Sequence, residues 1–415
     1  MFRIKERDLI YDWNTQNKWT SAFNRPITFD DETLRDGLQS PSVKSPSLDE
    51  KIKILHLMED LGIESANIGL PGAGPHVVEQ VTRLAQEIVR NKMKIKPNCA
   101  ARTVLADVKP IVDISEKVGI AIEAATFIGS SPIRQYAEDW TLDTMLRCSE
   151  EAVTFAVQHG LPVMYVTEDT TRAHPDTIRS LYSSAINWGA KAMVVCDTVG
   201  HATPAGAANL IRFVKEEIVD KSGERIRIDW HGHMDRGLGV INSIAAIEAG
   251  ADQVHGCALG IGERVGNTPM DQLLVNLQLM GYINKDLSKL KEYCMTVARA
   301  CGVPVPSTYP VVGADAFRTG TGVHAAAVIK ALKKGDLELA NLVYSGVPSH
   351  RFGFEQVIEV GPMSGKSNVI YWLEKRGYEP KEELVDLIFA AAKKSDRLLT
   401  EEAILSIIRS AKVTA

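Results

Sequence analysis

Three short stretches of this chain gather histidines, carboxylates, an arginine and glycines where apolar runs end. The stretch "IDWHGHMDRGLG", from Ile228, sets His231 and His233 one glycine apart. Strand side chains alternate faces, so both imidazoles project the same way. Two imidazoles so placed can bind one divalent ion. Without further ligands, an HxH pair reads equally well as two polar loop histidines. The stretch "FDDETLRDGLQS" runs an apolar strand into Asp31, Glu32, Arg35 and Asp36. Asp36 can complete a three-ligand set that leaves positions open for substrate. Arg35 beside it can stabilise a developing oxyanion. A solvated charged loop is the alternative. The third stretch, "HGCALGIGERVGNTP", has glycines at 260, 262 and 266, which allow a backbone to approach a ligand closely. The string alone is a weak signal, and the Rossmann unit that a nucleotide fingerprint needs is lacking around it. "GLPGAGP", from Gly69, fits a strand-end loop.

These residues can cooperate only if one architecture brings their strand ends together. From Pro26 to about Gly281, short β-rich runs alternate with longer amphipathic segments of helical period. The runs are "ITFDDE", "SANIGL", "KIKPNCA", "IAIEAATF", "PVMYVTE", "AMVVCDT", "IRIDWHG" and "DQVHGCA". Eight such units predict an α/β fold, a (β/α)8 barrel of the usual size of about 250 residues. A doubly wound open sheet is the competing architecture. Polar residues cluster at the C-terminal ends of the runs, where barrel chemistry sits. In a closed barrel the first and seventh strands lie near each other across the eighth, which brings Asp36 towards the histidine pair. Ser47 and Glu50 predict a capping box, and Thr203 with Pro204 a capped helix start. Beyond about Tyr282 the alternation stops. "DLSKLKEYCMTVARACG" reads as a helix, "VPVPSTYPVVG" as a connector, "SGVPSHRFGFEQVIEVGPMSGKSNV" as loop-rich, and the segment from Lys381 as helical.

Composition narrows the function class. Apolar residues make up 45% and charged residues 24% of 415, with a net charge of −5. Nothing in that balance points to nucleic acid or an acidic membrane. Six scattered cysteines without a CxxC pair read as free thiols of a reducing compartment. No signal peptide or membrane span is evident, so a cytoplasmic location is expected.

Together, "ETLRDGLQS", "WHGHMDRGLGVINSIAAIEAGADQVHG" and "GIGERVGNTPMDQLL" resemble the DRE-TIM metallolyases. The chain looks most like their Claisen-condensing branch, the 2-isopropylmalate, citramalate and homocitrate synthases. "VPVPSTYPVVGADAF", "GTGVHAAAVIK" and "GPMSGKSNVIYWL" look like the two small subdomains that follow the barrel there. The resemblance implies an N-terminal extension over 1–25, a catalytic barrel over 26–283, a linker subdomain over 284–330, a helical subdomain over 331–415, and no regulatory domain with its leucine or isoleucine feedback. It implies Asp36, His231, His233 and Asn267 as ligands of Zn, Mn, Mg or Co, and acetyl-CoA as cosubstrate. Arg35 would touch the keto oxygen, and Thr198 the substrate carboxylate. Glu168 would be catalytic. His324 would come from the neighbouring subunit of a homodimer, and Tyr344 would be an active-site tyrosine. Gly262, Glu263 and Gly266 are assigned to acetyl-CoA. Arg134, in "TFIGSSPIRQY", binds a second carboxylate or faces solvent. His201 and His255 are read as structural.

Two positions depart from the family pattern. Leu38 stands where "RDGEQ" is common, and Asn67 stands where a glutamate is expected to support the arginine. An asparagine can still accept a hydrogen bond from a guanidinium. The expected activity is condensation of acetyl-CoA with 2-oxoisovalerate to 2-isopropylmalate, as in leucine biosynthesis. The alternatives are another 2-oxo-acid synthase, a lyase like hydroxymethylglutaryl-CoA lyase, and a metal-retaining scaffold without turnover.

Overall fold

The computed structural model describes residues 9–15 and 25–413. Two compact units divide the chain, one over 22–304 and one over 305–415 together with the N-terminal segment. In the first, eight parallel strands close into a barrel in sequence order. They are β1 (Thr28–Asp31), β2 (Ser65–Asn67), β3 (Lys96–Arg102), β4 (Glu123–Gly129), β5 (Val163–Glu168), β6 (Ala192–Asp197), β7 (Arg227–Gly232) and β8 (Gln253–Gly256). Each β-rich run of the sequence supplies one strand. β1 closes the ring by pairing on both sides, with Asp30 opposite Ser65 of β2 and opposite His255 of β8. The helix starts follow their caps. Ser47 and Glu50 make the capping box of the helix Leu48–Asp60. The Thr203 hydroxyl accepts from the Gly206 amide at 3.2 Å to start Pro204–Val214. Caps of this kind stabilise a helix by about 1 kcal/mol each.

The period of two along each strand divides the barrel interior into unlike halves. From β7 round through β8 and β1 to β3, the inward positions are polar. The Thr28 hydroxyl donates to Gln253 Oε1 at 2.9 Å, and Gln253 Nε2 donates to Ser65 Oγ at 3.2 Å. Asp30 Oδ1 accepts from Ser65 Oγ and from Asn98 Nδ2, both at 2.7 Å. Such a belt is tolerated inside because its members satisfy one another across strands. On β4 to β6 the inward positions between the charged strand ends Glu123 and Glu168 are apolar: Ala125, Met164, Ala192, Val194 and Cys196 form one cluster, with Val166 against it.

The helix Leu290–Cys301 belongs to the same unit, and its Tyr293 hydroxyl donates to Asp31 Oδ2 at the end of β1. In the second unit, the helices Lys366–Lys375, Glu382–Lys394 and Glu401–Val413 share a core that includes Val369, Trp372, Leu373, Ile388 and Ile404. A short parallel pair joins Arg318–Thr319 to Val357–Ile358, the latter inside the segment that reads as loop-rich from sequence. Two-residue strands carry no periodicity to read. All six cysteines are free. Among the described residues, no helix is long and apolar enough to cross a membrane.

Candidate metal centre and active site

At the C-terminal mouth of the barrel, β7 delivers both histidines to one point. His231 Nε2 and His233 Nε2 lie 3.2 Å apart. Asp36 Oδ2, on the loop after β1, is 3.4 Å from the first and 3.6 Å from the second. Edges of this length separate neighbouring ligands of an ion bound at about 2.0–2.2 Å. Two buried oxygens there accept no hydrogen bond, Asp36 Oδ2 and Asn267 Oδ1. Asn267 faces His233 through an antiparallel bridge and donates Nδ2 to the Ile261 carbonyl at 3.1 Å, which leaves Oδ1 without a donor. An orphaned buried acceptor is costly unless a ligand satisfies it. The residues present therefore fit a divalent cation, and carboxylate, imidazole and amide donors suit Zn, Mn, Mg or Co.

Electrostatics favours the same reading. Burial lowers both imidazoles, His233 to about 4, so each is neutral near pH 7 and able to ligate. Burial alone would raise Asp36, but Arg35 and the two imidazoles hold its carboxyl well below the usual carboxylate range.

Arg35 is gripped from three sides. Its Nη1 donates to Asp36 Oδ1 at 3.1 Å, and its Nη2 pairs with Glu32 Oε2. The Asn67 amide, turned so that its oxygen faces the guanidinium, accepts from Nε at 3.3 Å and donates to the Gly69 carbonyl at 3.2 Å. Glu32 Oε1 accepts from His255 Nδ1 at 3.0 Å. The loop itself is braced from beneath: Thr33 N donates to Asp31 Oδ1 at 2.9 Å, and Ala258 N donates to Thr33 Oγ1 at 2.8 Å.

The triad forms one wall of a cavity of about 280 Å³. The polar wall also carries Glu32, Arg35, Asn67 and His255, while Ala125, Phe127, Met164 and Val166, from β4 and β5, line the other side. Thr198 and Glu168 stand at its rim. The Thr198 hydroxyl accepts from the Asp169 amide at 2.8 Å, so its own proton is left to donate. Arg264 holds Thr198 in place: it donates to the Thr198 carbonyl at 2.6 Å and pairs with Asp235 at 2.7 Å. Glu168 is half-buried, and burial raises its pKa against the pull of Arg134 and Arg35. Arg134 pairs with Glu138 at 3.1 Å and lies 3.8 Å from Glu168, so its charge is already answered by carboxylates.

The glycine loop after β8 makes its close approaches within the protein. A Cβ on Gly262 would fall 2.2 Å from Asn267 Nδ2, and one on Gly266 would fall 1.7 Å from the Gly260 carbonyl. Gly266 also has φ +98°, a conformation that costs other residues dearly. The loop is thus folded around the fourth ligand candidate, and Glu263 beside it reaches the cavity. Gly266→Ala should lower divalent-ion affinity by about 10–100-fold, as losses of supporting contacts do. Isothermal titration with Mn or Zn reads this, and an unchanged affinity would separate the loop from the metal site.

His324 and Tyr344 lie in the other compact unit. Their rings stack there with centroids 4.1 Å apart, and both are exposed.

Two residues of the site escape the sequence reading. Glu32 is visible only as one of a run of charges, and His255 reads as structural. Their signal is parity: Glu32 follows Thr28 and Asp30 on the inward face, and His255 follows Gln253. A second set of potential ligands, Glu32, His231 and His255, adjoins the first. Here the carboxylate already bonds His255 and Arg35.

The sequence model of the HMGL-like family matches residues 26–297. A 2-isopropylmalate synthase of Pyrococcus furiosus is 32% identical over 395 residues, covering 93% of this chain and 76% of its own. The homocitrate synthase AksA of Methanopyrus kandleri is 31% identical over 366 residues, covering 88% of this chain and 86% of its own. Among solved structures, hydroxymethylglutaryl-CoA lyase from Pseudomonas aeruginosa shares the fold, with a TM-score of 0.56 at 18% identity, over 67% of this chain and 93% of that one.

Proposed function

Because the chain belongs to the HMGL-like family, in the synthase branch of the DRE-TIM metallolyases, we propose that it condenses acetyl-CoA with a 2-oxo acid and hydrolyses the resulting thioester. The substrate we assign is 2-oxoisovalerate, and the product 2-isopropylmalate. The observation that carries this reading is the two-faced cavity, a cation site with Arg35 on one wall and apolar side chains on the other. A branched 2-oxo acid has the matching halves. A dicarboxylic substrate would need a second cation, and Arg134 is already paired.

Asp36, His231, His233 and Asn267 would hold a divalent ion, which would supply Lewis-acid polarisation of the carbonyl of a 2-oxo acid. Thr198 donates its hydroxyl proton to the substrate carboxylate. The methyl carbon of acetyl-CoA loses a proton, and its electron pair forms the bond to the keto carbon. Arg35 stabilises the oxyanion that results. The proton acceptor is assigned to His324 of a second copy acting with Glu168, and Tyr344 is stacked on that histidine ring. The Gly262–Gly266 loop, with Glu263, is assigned to the CoA side of the cavity. Water then cleaves the thioester and frees CoA.

Glu168 gives this scheme a pH signature. A base must be deprotonated to act, so activity is present above its pKa and falls as pH drops through it. The acid limb of kcat/KM at saturating metal should therefore lie above the ordinary glutamate value of about 4.3. In Glu168→Gln the limb should disappear along with most of the rate; a limb unmoved by that substitution would remove Glu168 from proton transfer.

A screen of 2-oxo acids with acetyl-CoA, read as free thiol, tests the function. Turnover should be best with 2-oxoisovalerate. A preference for pyruvate or 2-oxoglutarate would replace the substrate by that of a citramalate or homocitrate synthase. Cleavage of a hydroxyacyl-CoA would favour a lyase, and release of no CoA with any 2-oxo acid would reject the assignment.

A further inference from the structure

The Glu32 carboxylate is the point where the oxyanion-binding arginine and the ligand-bearing strands meet. It is 3% exposed. Its Oε2 pairs with Arg35, while Oε1 accepts from His255 Nδ1 at 3.0 Å and lies 3.6 Å from His231 Nδ1. His255 in turn lies 3.5 Å from Asp229 on β7. Glu32 is therefore fixed from β8 before it acts on Arg35. Across the guanidinium, on β2, Asn67 offers an uncharged oxygen to Nε at 3.3 Å. Asn67 is 1% exposed and lies 3.5 Å from Glu32 Oε2. Besides Asp36 on Nη1, Arg35 thus has a charge from Glu32 on Nη2 and only a dipole from Asn67 on Nε, and the Glu32 and Asn67 seats are both buried and adjacent.

We propose that Glu32 on β1 is the positioning residue for Arg35 in this chain, in place of the glutamate expected at position 67 on β2, so that the charge can be moved from β1 to β2 with Arg35 kept in place. The site has room for one such carboxylate. Two carboxylates about 3.5 Å apart in a buried site do not both stay ionised. The inference rests on the proposed function only in taking Arg35 as the group that meets the oxyanion.

The test is a charge transposition in the full chain with Mn bound, using Glu32→Gln, Asn67→Glu and the double variant. Glu32→Gln should lower kcat by at least about tenfold through misplacement of Arg35, with smaller changes in KM and in Mn affinity, since His231 Nδ1 is beyond hydrogen-bond reach of Glu32. Asn67→Glu alone should lower the melting temperature by crowding two carboxylates. The double variant should melt above either single variant and regain most of kcat. Crystal structures should show Arg35 displaced in Glu32→Gln and returned in the double variant. A double variant less stable than both singles, or Arg35 unmoved in Glu32→Gln, overturns the proposal. So does a fall in Mn affinity as large as the fall in kcat, which would place Glu32 in the metal site. Melting and the position of Arg35 are read without turnover, so an inactive parent chain would count against the reaction and leave this inference to be decided on them.

Discussion

Asp36→Ala is expected to yield a folded protein that retains no divalent ion and does not turn over. Three facts make this the most damaging change in the site. Asp36 is the only carboxylate of its triad; without it two neutral imidazoles remain. It also lies 3.1 Å from Arg35, so its removal leaves an arginine beside the ion site with one counter-charge fewer. A cation entering that site would then meet stronger repulsion from Arg35, whose remaining counter-charge is Glu32, in a medium of low dielectric. Changes in residues that merely support ligands cost about 10–100-fold in affinity, and loss of the ligand itself should exceed that range. The fold should survive, because Asp36 Oδ2 accepts no hydrogen bond and Arg35, which loses its bond to Asp36 Oδ1, keeps its pair with Glu32. Isothermal titration with Zn and Mn, beside a melting curve, decides the matter. Tight binding in Asp36→Ala would mean that the ion sits elsewhere, with the Glu32, His231 and His255 set as the first place to look.

The second large effect belongs to Arg35→Met. In its proposed role as donor to a developing oxyanion, Arg35 should be worth about 10²–10³ in kcat, in line with the loss of one preorganised donor elsewhere. KM should move less, because the charge it answers develops only during reaction. The same substitution strands Glu32, 3% exposed, without its cation. Breaking a buried pair from one side costs about 3–5 kcal/mol, so the melting temperature should fall as well. Adding Glu32→Gln to Arg35→Met should restore part of the stability and none of the rate. Kinetics and melting on the three proteins separate the roles. Recovery of kcat in the double variant would show that the single variant had failed through misfolding alone.

The barrel was legible because its signal is repeated eight times. Each β-rich run ends in a turn, and each helix has its own period and often its own cap. The histidine pair was legible because alternation along one strand suffices to place it. Asp36 needed the closure of β1 beside β8, which topology supplies. Glu32 and His255 were not legible as partners, because their meeting depends on the register that sets Asp30 opposite His255. The Glu32–Arg35 pair has helical spacing but sits in a loop, where sequence distance says little about contact. Glycines 262 and 266 advertise close approach without saying to what, and in the structure they make room for Asn267 and the Gly260 carbonyl. The short strands at 318 and 357 leave no mark that sequence patterning could register.

The divided interior of the barrel bears on how this protein can change. On the polar half, Thr28, Gln253, Ser65, Asp30 and Asn98 each hold the next, so replacing one strands another and the half must be inherited as a block. On the apolar half, Phe127, Met164 and Val166 are joined only by packing, and packing tolerates a swap of similar volume. Single substitutions there can reshape the apolar side of the cavity while the metal-site residues and Arg35 stay as they are. The apolar half can therefore vary one residue at a time, each change leaving the polar half's hydrogen bonds as they are.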